Sequence, residues 1–551
     1  MSASIMLLES IVICCTTWFL WRSLRQIFVK SPLDNIPGPP PVSFFKGNLE
    51  QIYDRQGWDF YKSLSQDYGA VVKLQGLFGQ KILYVFDPTA LNSIVVKDQY
   101  VYEEASFFIK TNRLIFGNGL VSTLGEHHRK QRKLLNPVFS INHMRHMAPI
   151  FYAITHKLES AIKLRVRDGP REIDILNWMA RTALELVGQG GLGYSFDPLI
   201  EDKPNAMGDA IKSFMPAWAP LQIHRRLLPY VAELGPAKFR RFILDIIPDP
   251  RVQKVKYISD TVAEQSRAIF EEKKAALEHG NDAVVHQIGE GKDIMSVLMR
   301  ANMDANSVDR LPEEELIAQM STLTFAAMDT TSNALSRILH LLAENQHIQD
   351  KLRAELSQAR DGHDIPYDDL VHLPYLDAVC RETLRIHPPA PWLFREARKD
   401  ISMPLAKPIR GIDGTMMHEI PIPKDTTILI GVMGSNWNKK IWGEDALEWK
   451  PERWLSPLPD AVDAARIPGV YSNLMTFLGG GRSCIGFKFS QIEMKTVLSV
   501  LLTTFKFTLP LKSIAWNIAG VTFPTMGADA SRAEMLLEVE LLDTSKCSVK
   551  A

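Results

Sequence analysis

Cys484 is the residue on which chemistry can most readily be built. It lies in the stretch Phe477-Leu-Gly-Gly-Gly-Arg-Ser-Cys-Ile-Gly486, and the run from Gly486 to Phe505 carries apolar residues at close to helical spacing. A sulfur at the mouth of a helix faces unpaired backbone N–H groups and the positive end of the macrodipole, and both favour thiolate over thiol. Gly479, Gly480 and Gly481 allow a tight turn and a close approach to a large flat group. Arg482, two residues before the sulfur, offers a fork of donors suited to a carboxylate. A thiolate, room for a planar group and an arginine for its acidic side chains together describe a haem site with cysteine as the axial ligand.

A second group lies in Ala326-Ala-Met-Asp329-Thr330-Thr-Ser332, inside the longest helical reading of the chain, Pro312 to Asn345. Pro312 suits the first helical position, Glu313 to Glu315 complement the positive end, and no glycine or proline interrupts the run. An acid beside three hydroxyls is a poor choice for a helix interior, because such side chains compete for backbone hydrogen bonds, and a local rule broken mid-helix marks function. Glu382 and Arg385 stand on adjacent turns of one helix, which by itself is an ordinary ion pair, and Arg453 follows in a Pro-flanked setting. The densest positive run, His127 to Lys133, reads as a solvated helix face. With 63 basic and 63 acidic residues, and no stacking aromatics in that run, nothing argues for a nucleic-acid partner.

The spacing of Phe477, Gly480, Arg482, Cys484 and Gly486 resembles the signature of the cytochrome P-450 family of haem-thiolate monooxygenases, and the chain resembles fungal microsomal members over nearly all of its length. The resemblance implies a mainly α fold with a minor β-sheet subdomain, haem b held through Cys484, and dioxygen as co-substrate. It also implies that Thr330 hydrogen-bonds dioxygen while Asp329 relays protons, with Ala327 replacing a common glycine. His128 stands where the family usually has tryptophan, four residues before Arg132. The resemblance places both of them, with Arg395, at the haem propionates. Glu382, Arg385 and Arg453 become a buried structural lock, and Arg129 and Lys133 become docking residues for an acidic electron donor. No flavin or nicotinamide module is read in the 551 residues, so electrons are expected from a separate NADPH-dependent cytochrome reductase. Rival readings are a haem-thiolate isomerase or dehydratase, and a non-enzymatic membrane haem-binding protein.

These residues need elements to position them. Val71 to Leu74 and Ile82 to Phe86 read as strands, and most later segments read as helices. Residues 1–30 hold an apolar stretch, Ala3 to Trp21, followed by Arg22, Arg25 and Lys30, the pattern of an uncleaved signal anchor with the downstream side in the cytosol. Residues 31–41, with five prolines, read as a stiff extended hinge, and residues 42–551 as the catalytic domain. By resemblance the hinge sets that domain against the endoplasmic reticulum membrane.

Gly188 to Gly193 fits the dinucleotide fingerprint literally, but helical residues precede it and a turn follows, so it is rejected. Phe214 to Val231 is an apolar, irregular segment, a pocket roof that touches membrane by resemblance or equally a core-packed loop. Ala275 to Gly291 reads as a surface connection. Pro391 to Phe394 and Val521 to Met526 are candidate substrate-lining turns. Phe107, Phe108, Phe325, Trp392 and Phe394 suggest a lipophilic substrate such as a terpenoid of secondary metabolism. Five cysteines in this arrangement form no disulfide framework.

Overall fold

The computed structural model describes residues 10, 13–14, 16–17, 21, 29–197, 199, 206–279, 291–306 and 310–542. The helices that matter for the site are α1 (Ser106–Phe116), α2 (Gly125–Leu135), α3 (Ile141–Val166), α4 (Ile175–Leu186), α5 (Ala206–Trp218), α6 (Pro250–Glu278), α7 (Glu313–Glu344), α8 (Pro374–Ile386) and α9 (Phe487–Thr504). A five-stranded sheet is built from β1 (Val71–Gln75), β2 (Lys81–Val85), β3 (Tyr102–Glu104), β4 (Trp392–Ala397) and β5 (Thr427–Gly431) in the order β1-β2-β5-β4-β3.

The axis is α7, 32 residues long and thus about 48 Å. It is buried along most of its length from Leu316 to Ala343 and packs against α4, α6, α8 and α9. A helix covered on all sides must satisfy its apolar residues by packing all round, as α7 does. Its start differs slightly from expectation: Pro312 is the extended cap residue, at φ −61° and ψ 153°, and the three glutamates fill the first turn. In the sheet, β2 and β5 run parallel while β5–β4 and β4–β3 are antiparallel, and the last pairing sets Glu104 opposite Arg395. Cross-strand partners point to the same face, so the register brings an acid and a guanidinium together.

The proline segment is strapped to the domain rather than standing clear as an extended spacer. Ser31 caps a short turn at Pro32–Asn35, Leu33 and Ile36 are buried, and the Lys73 N–H donates to the Pro37 carbonyl at 2.9 Å. The Asn35 carboxamide donates to Asp413 and Thr415. The apolar stretch from Ala3 to Trp21 lies largely outside the described residues, among which no helix is long and apolar enough to cross a membrane.

The Gly188–Gly193 stretch forms a wide helical turn continuing α4, with no strand before it, so the dinucleotide reading fails structurally as well. Phe214 and Trp218 are buried in α5, while Leu227, Tyr230 and Val231 are exposed in the short helical turns that follow. The expected surface connection begins later than Ala275, because α6 continues to Glu278; residues 280–290 lie outside the described part.

Candidate active site at the cysteine loop

The loop before α9 is closed by the Cys484 N–H, which donates to the Phe477 carbonyl at 2.9 Å. Gly480 has φ +66°, and a Cβ there would lie 1.7 Å from the Val95 carbonyl oxygen. A Cβ at Gly479 would lie 1.6 Å from the Pro468 carbonyl oxygen. Chain lying on chain therefore demands these two glycines. Gly481 donates its N–H to Gln99 Oε1 at 2.8 Å. Gly486 caps α9 and is roomier: a Cβ would meet only the Phe139 ring, at 3.9 Å. Phe477 packs edge-on against Tyr471 and tilted against Phe487.

Cys484 keeps accessible surface, although burial is the largest influence on its thiol. The two facts agree if the sulfur opens onto an interior space enclosed by the chain. The Gly486 N–H and the charge of Arg132 both favour the thiolate, as expected for the mouth of a helix, but burial outweighs them and pushes the thiol up. A metal coordinated at the sulfur would take the place of the proton and favour the thiolate. The other described interior cysteine, Cys380, is buried with its thiol pushed up to about 12, as expected of an inert core residue.

Cations gather beside the loop. Arg132 on α2 donates to the Ser483 carbonyl at 2.7 Å and to Ser483 Oγ at 3.1 Å, and Arg482 donates to the Thr123 carbonyl at 2.9 Å. Arg395 on β4 is buried; its Nη1 pairs with Glu104 and reaches the Phe394 carbonyl at 2.9 Å, while Nη2 is buried with no partner. His128 is buried and pushed down to about 3 by burial and by Arg482, Arg132 and Arg395, so it is neutral. A cleft of about 230 Å³ is lined by Gln99, Glu103, His128, Arg132, Gly481 and Arg482. Three guanidiniums, one of them with an orphaned donor, fit a ligand carrying two carboxylates. The haem fits the residues present.

In mid-α7 the burial breaks. Ala326 is exposed and Phe325, Ala327 and Thr330 are partly exposed, between flanks that are buried, so this stretch also faces an interior space. Thr330 Oγ1 donates to the Ala326 carbonyl at 2.8 Å. Asp329 is buried, with Oδ1 accepting from Lys212 Nζ and Asn333 Nδ2, both at 3.2 Å, and with Oδ2 unpartnered. Burial pushes this carboxyl up, against the pull of Lys212 and Asn333. Lys212, itself held down by burial, also donates to Ser332 Oγ at 3.0 Å. Sequence reasoning missed Lys212, and the available signal was a lone lysine next to Ile211 within the apolar run of α5.

The sequence profile of the family described as Cytochrome P450 matches residues 37–520. The chain belongs to the cytochrome P-450 family. Cytochrome P450 monooxygenase 91 of Postia placenta is 58% identical over 97% of this chain and 98% of its own length. Ganoderic acid synthetase CYP5150L8 of Ganoderma lucidum is 50% identical over 97% and 98%, and the Cytochrome P450 monooxyhenase eriI of Hericium erinaceus 40% over 88% and 90%. The protein is a cytochrome P-450 monooxygenase, and its family implies haem-thiolate iron, dioxygen, a small-molecule substrate and a redox partner.

In this cytochrome P-450 the three residues of the expected lock do meet, and they are buried. Glu382 and Arg385 have no exposed side-chain surface and pair at 2.8 Å, and Arg453 Nε lies 3.2 Å from Glu382 Oε1. Trp454 Nε1 donates to Glu382 Oε2 at 2.9 Å and the Lys450 N–H to Oε1 at 3.1 Å, two donors that sequence reasoning did not include. Arg385 spends its remaining donors on the Asn436 and Ala446 carbonyls, at 2.8 and 2.6 Å. The carboxylate is thus saturated, which leaves this group structural rather than reactive. Trp392 stacks on Tyr61 at 5.0 Å in the same core cluster as the Phe107–Phe394 pair, whereas Phe325 meets Phe116 and Phe214 in the main core.

Proposed function

We propose that this monooxygenase holds haem b with Cys484 as the iron's axial ligand. We further propose that it oxidises a lipophilic small molecule using dioxygen and electrons from a separate NADPH-dependent cytochrome reductase. The observation that carries the reading is the convergence of Arg132, Arg395 and Arg482 on the Cys484 loop with a buried donor of Arg395 left over. The haem, when bound, supplies activation of dioxygen and insertion of one oxygen atom into a C–H bond. The three arginines bind the propionates, and neutral His128 can donate one N–H to them without adding charge. Phe477, Gly480 and Gly486 shape the loop that presents the sulfur.

Asp329 and Thr330 are the proton-handling pair. Asp329 Oδ2, buried and without a partner, is the atom free to take up and release a proton, while Lys212 holds Oδ1. Buried flanks of α7 keep bulk water away from Ala326, Ala327 and Thr330, which keep accessible surface. Similarity to a ganoderic acid synthetase supports a secondary metabolite, such as a terpenoid, as the substrate. The apolar stretch Ala3 to Trp21 with Arg22, Arg25 and Lys30 after it supports a single-pass anchor in residues 1–30, membrane lipid as a partner, and a cytosolic catalytic domain at the endoplasmic reticulum. Residues 31–41 then join anchor to domain, and exposed Arg129 and Lys133 beside the cleft form a docking face for the reductase.

The deciding experiment is the spectrum of reduced protein under carbon monoxide. Wild type should show the red-shifted band of sulfur-ligated haem, and Cys484→Ser should lose it. A band typical of histidine ligation, or one that survives Cys484→Ser, overturns the assignment.

A further inference from the structure

Arg225 and Arg226 are adjacent, each only 8% exposed, and neither forms an ion pair with any described carboxylate. Arg225 Nη1 donates to Gln222 Oε1 at 2.9 Å and Arg226 Nη2 to Tyr53 Oη at 3.2 Å, while Nε of each is buried without a partner. The other contacts are aromatic faces. The Arg226 guanidinium lies 4.0 Å from the Phe107 ring and 4.6 Å from Phe394; that of Arg225 lies 4.8 Å from Phe107 and 5.4 Å from Trp218. Burial, with the repulsion of Arg226 added, pushes Arg225 down to about 10, which leaves it charged at neutral pH.

Placing two like charges side by side away from water is unfavourable without a counter-ion. Ring faces attract a cation but do not neutralise it. Arg181 faces Asp197, and Arg385 and Arg453 share Glu382, whereas buried Arg337 rests on the Trp516 ring with no ion pair among the described residues. The pair at 225 and 226 lacks one too. An aromatic wall runs from it toward the oxygen-activating segment. Trp218 stacks on Phe214 at 5.5 Å, Phe214 meets Phe325 edge-on at 4.9 Å, and Phe325 adjoins exposed Ala326.

We propose that Arg225 and Arg226 bind the carboxylate of an amphipathic acid, whose apolar body lies along Phe107, Trp218, Phe214 and Phe325 toward Thr330. This rests on the reading of the chain as an oxidase of apolar small molecules, and it narrows the substrate to acids. A phosphate headgroup of a lipid has similar chemistry, but these guanidiniums are covered by aromatic rings rather than presented outward like Arg240 and Arg241, which sit among exposed Phe239 and Phe242.

The test uses the full-length, haem-loaded protein and matched pairs: palmitic acid and methyl palmitate, abietic acid and methyl abietate, oleanolic acid and methyl oleanolate. Affinity is read from the change in the haem spectrum as ligand displaces water, and independently from the rise in melting temperature. At least one acid should bind about tenfold more tightly than its ester, and the preference should vanish in Arg225→Gln/Arg226→Gln and partly survive in Arg226→Lys. The idea is overturned if no acid outperforms its ester in wild type, absence of binding by every acid included, or if the preference persists in the double variant. It is equally overturned if the variant loses only its sedimentation with phosphatidic acid vesicles over phosphatidylcholine ones, which would assign the pair to a headgroup. The comparison of acid with ester in wild type needs no variant to fold, and the carbon monoxide band of the same preparation reports the haem-thiolate reading separately.

Discussion

Replacing Lys212 with Met removes the cation facing Asp329 while keeping an unbranched apolar stem. The Nζ–Oδ1 distance is 3.2 Å, with side-chain exposures of 14% and 4%. At an effective dielectric of about 20, that separation is worth about 5 kcal/mol of attraction. Removing one partner of such a buried pair costs about 3–5 kcal/mol when the other stays charged. Asp329 has an escape: burial already pushes its carboxyl up, and without Lys212 it takes a proton instead. A carboxyl whose folded pKa is raised contributes stability that is complete below its unfolded value and is lost as pH rises through the folded value. The variant raises the folded value further, so its loss continues to higher pH than in wild type. The stability deficit of Lys212→Met should therefore grow from pH 5 to pH 8, by up to about 1.4 kcal/mol per unit.

Urea midpoints followed by tryptophan fluorescence measure this, compared as differences because a chain of 551 residues is prone to unfold through intermediates. Asp329→Asn/Lys212→Met supplies the control and should show a flat difference. A deficit that is constant, or that shrinks as pH rises, would refute the argument that Lys212 governs the ionisation of Asp329.

Glu382→Leu strands Arg385 together with the donors of Trp454 and Lys450, while Arg453 keeps Asp445, so it should cost roughly 3–5 kcal/mol and appear as a lower melting temperature and haem yield, with Glu382→Gln less damaging. Gly480→Ala should abolish soluble haem-containing protein, because φ is +66° and its Cβ would sit 1.7 Å from the Val95 carbonyl oxygen. Gly486→Ala, with its nearest contact at 3.9 Å, should leave the melting temperature of the apoprotein unchanged. His128 is held down to about 3, so its contribution is present above the ordinary histidine range and lost as pH falls toward that value; His128→Gln should lose less stability than wild type on acidification from pH 6.5 to 4. Equal acid sensitivity in an acid titration would show that the imbidazole is not shielded.

What could be read in advance was what is local. The cysteine loop is contiguous, so its residue types and spacing are visible without a fold, and α7 announces itself by a long run free of glycine and proline. Partners were not visible: Lys212 and Asp329 are 117 residues apart, and Arg395 and Glu104 are 291 apart. The loop glycines were read as allowing a tight turn and a close approach, while the neighbours Val95 and Pro468 that crowd Gly480 and Gly479 come from distant segments and were not visible. The N–H group at the helix mouth that favours the thiolate was legible because it is local, while the burial that opposes it is tertiary.

The same distinction sorts the buried arginines, which the sequence presents as equivalent. Arg385 and Arg453 close on Glu382 within the chain, and their charge has no further work to do. Arg395 is half-answered by Glu104 and keeps one donor spare, and Arg482 has only a carbonyl. Arg225 and Arg226 have no acid at all. A folded chain tolerates an unneutralised interior charge where something outside the chain completes it, so the order from Arg385 through Arg395 to Arg225 is an order of increasing dependence on ligand. By that measure, the melting temperature of this protein should respond to haem through the first cluster and to substrate through the second, each independently of the other.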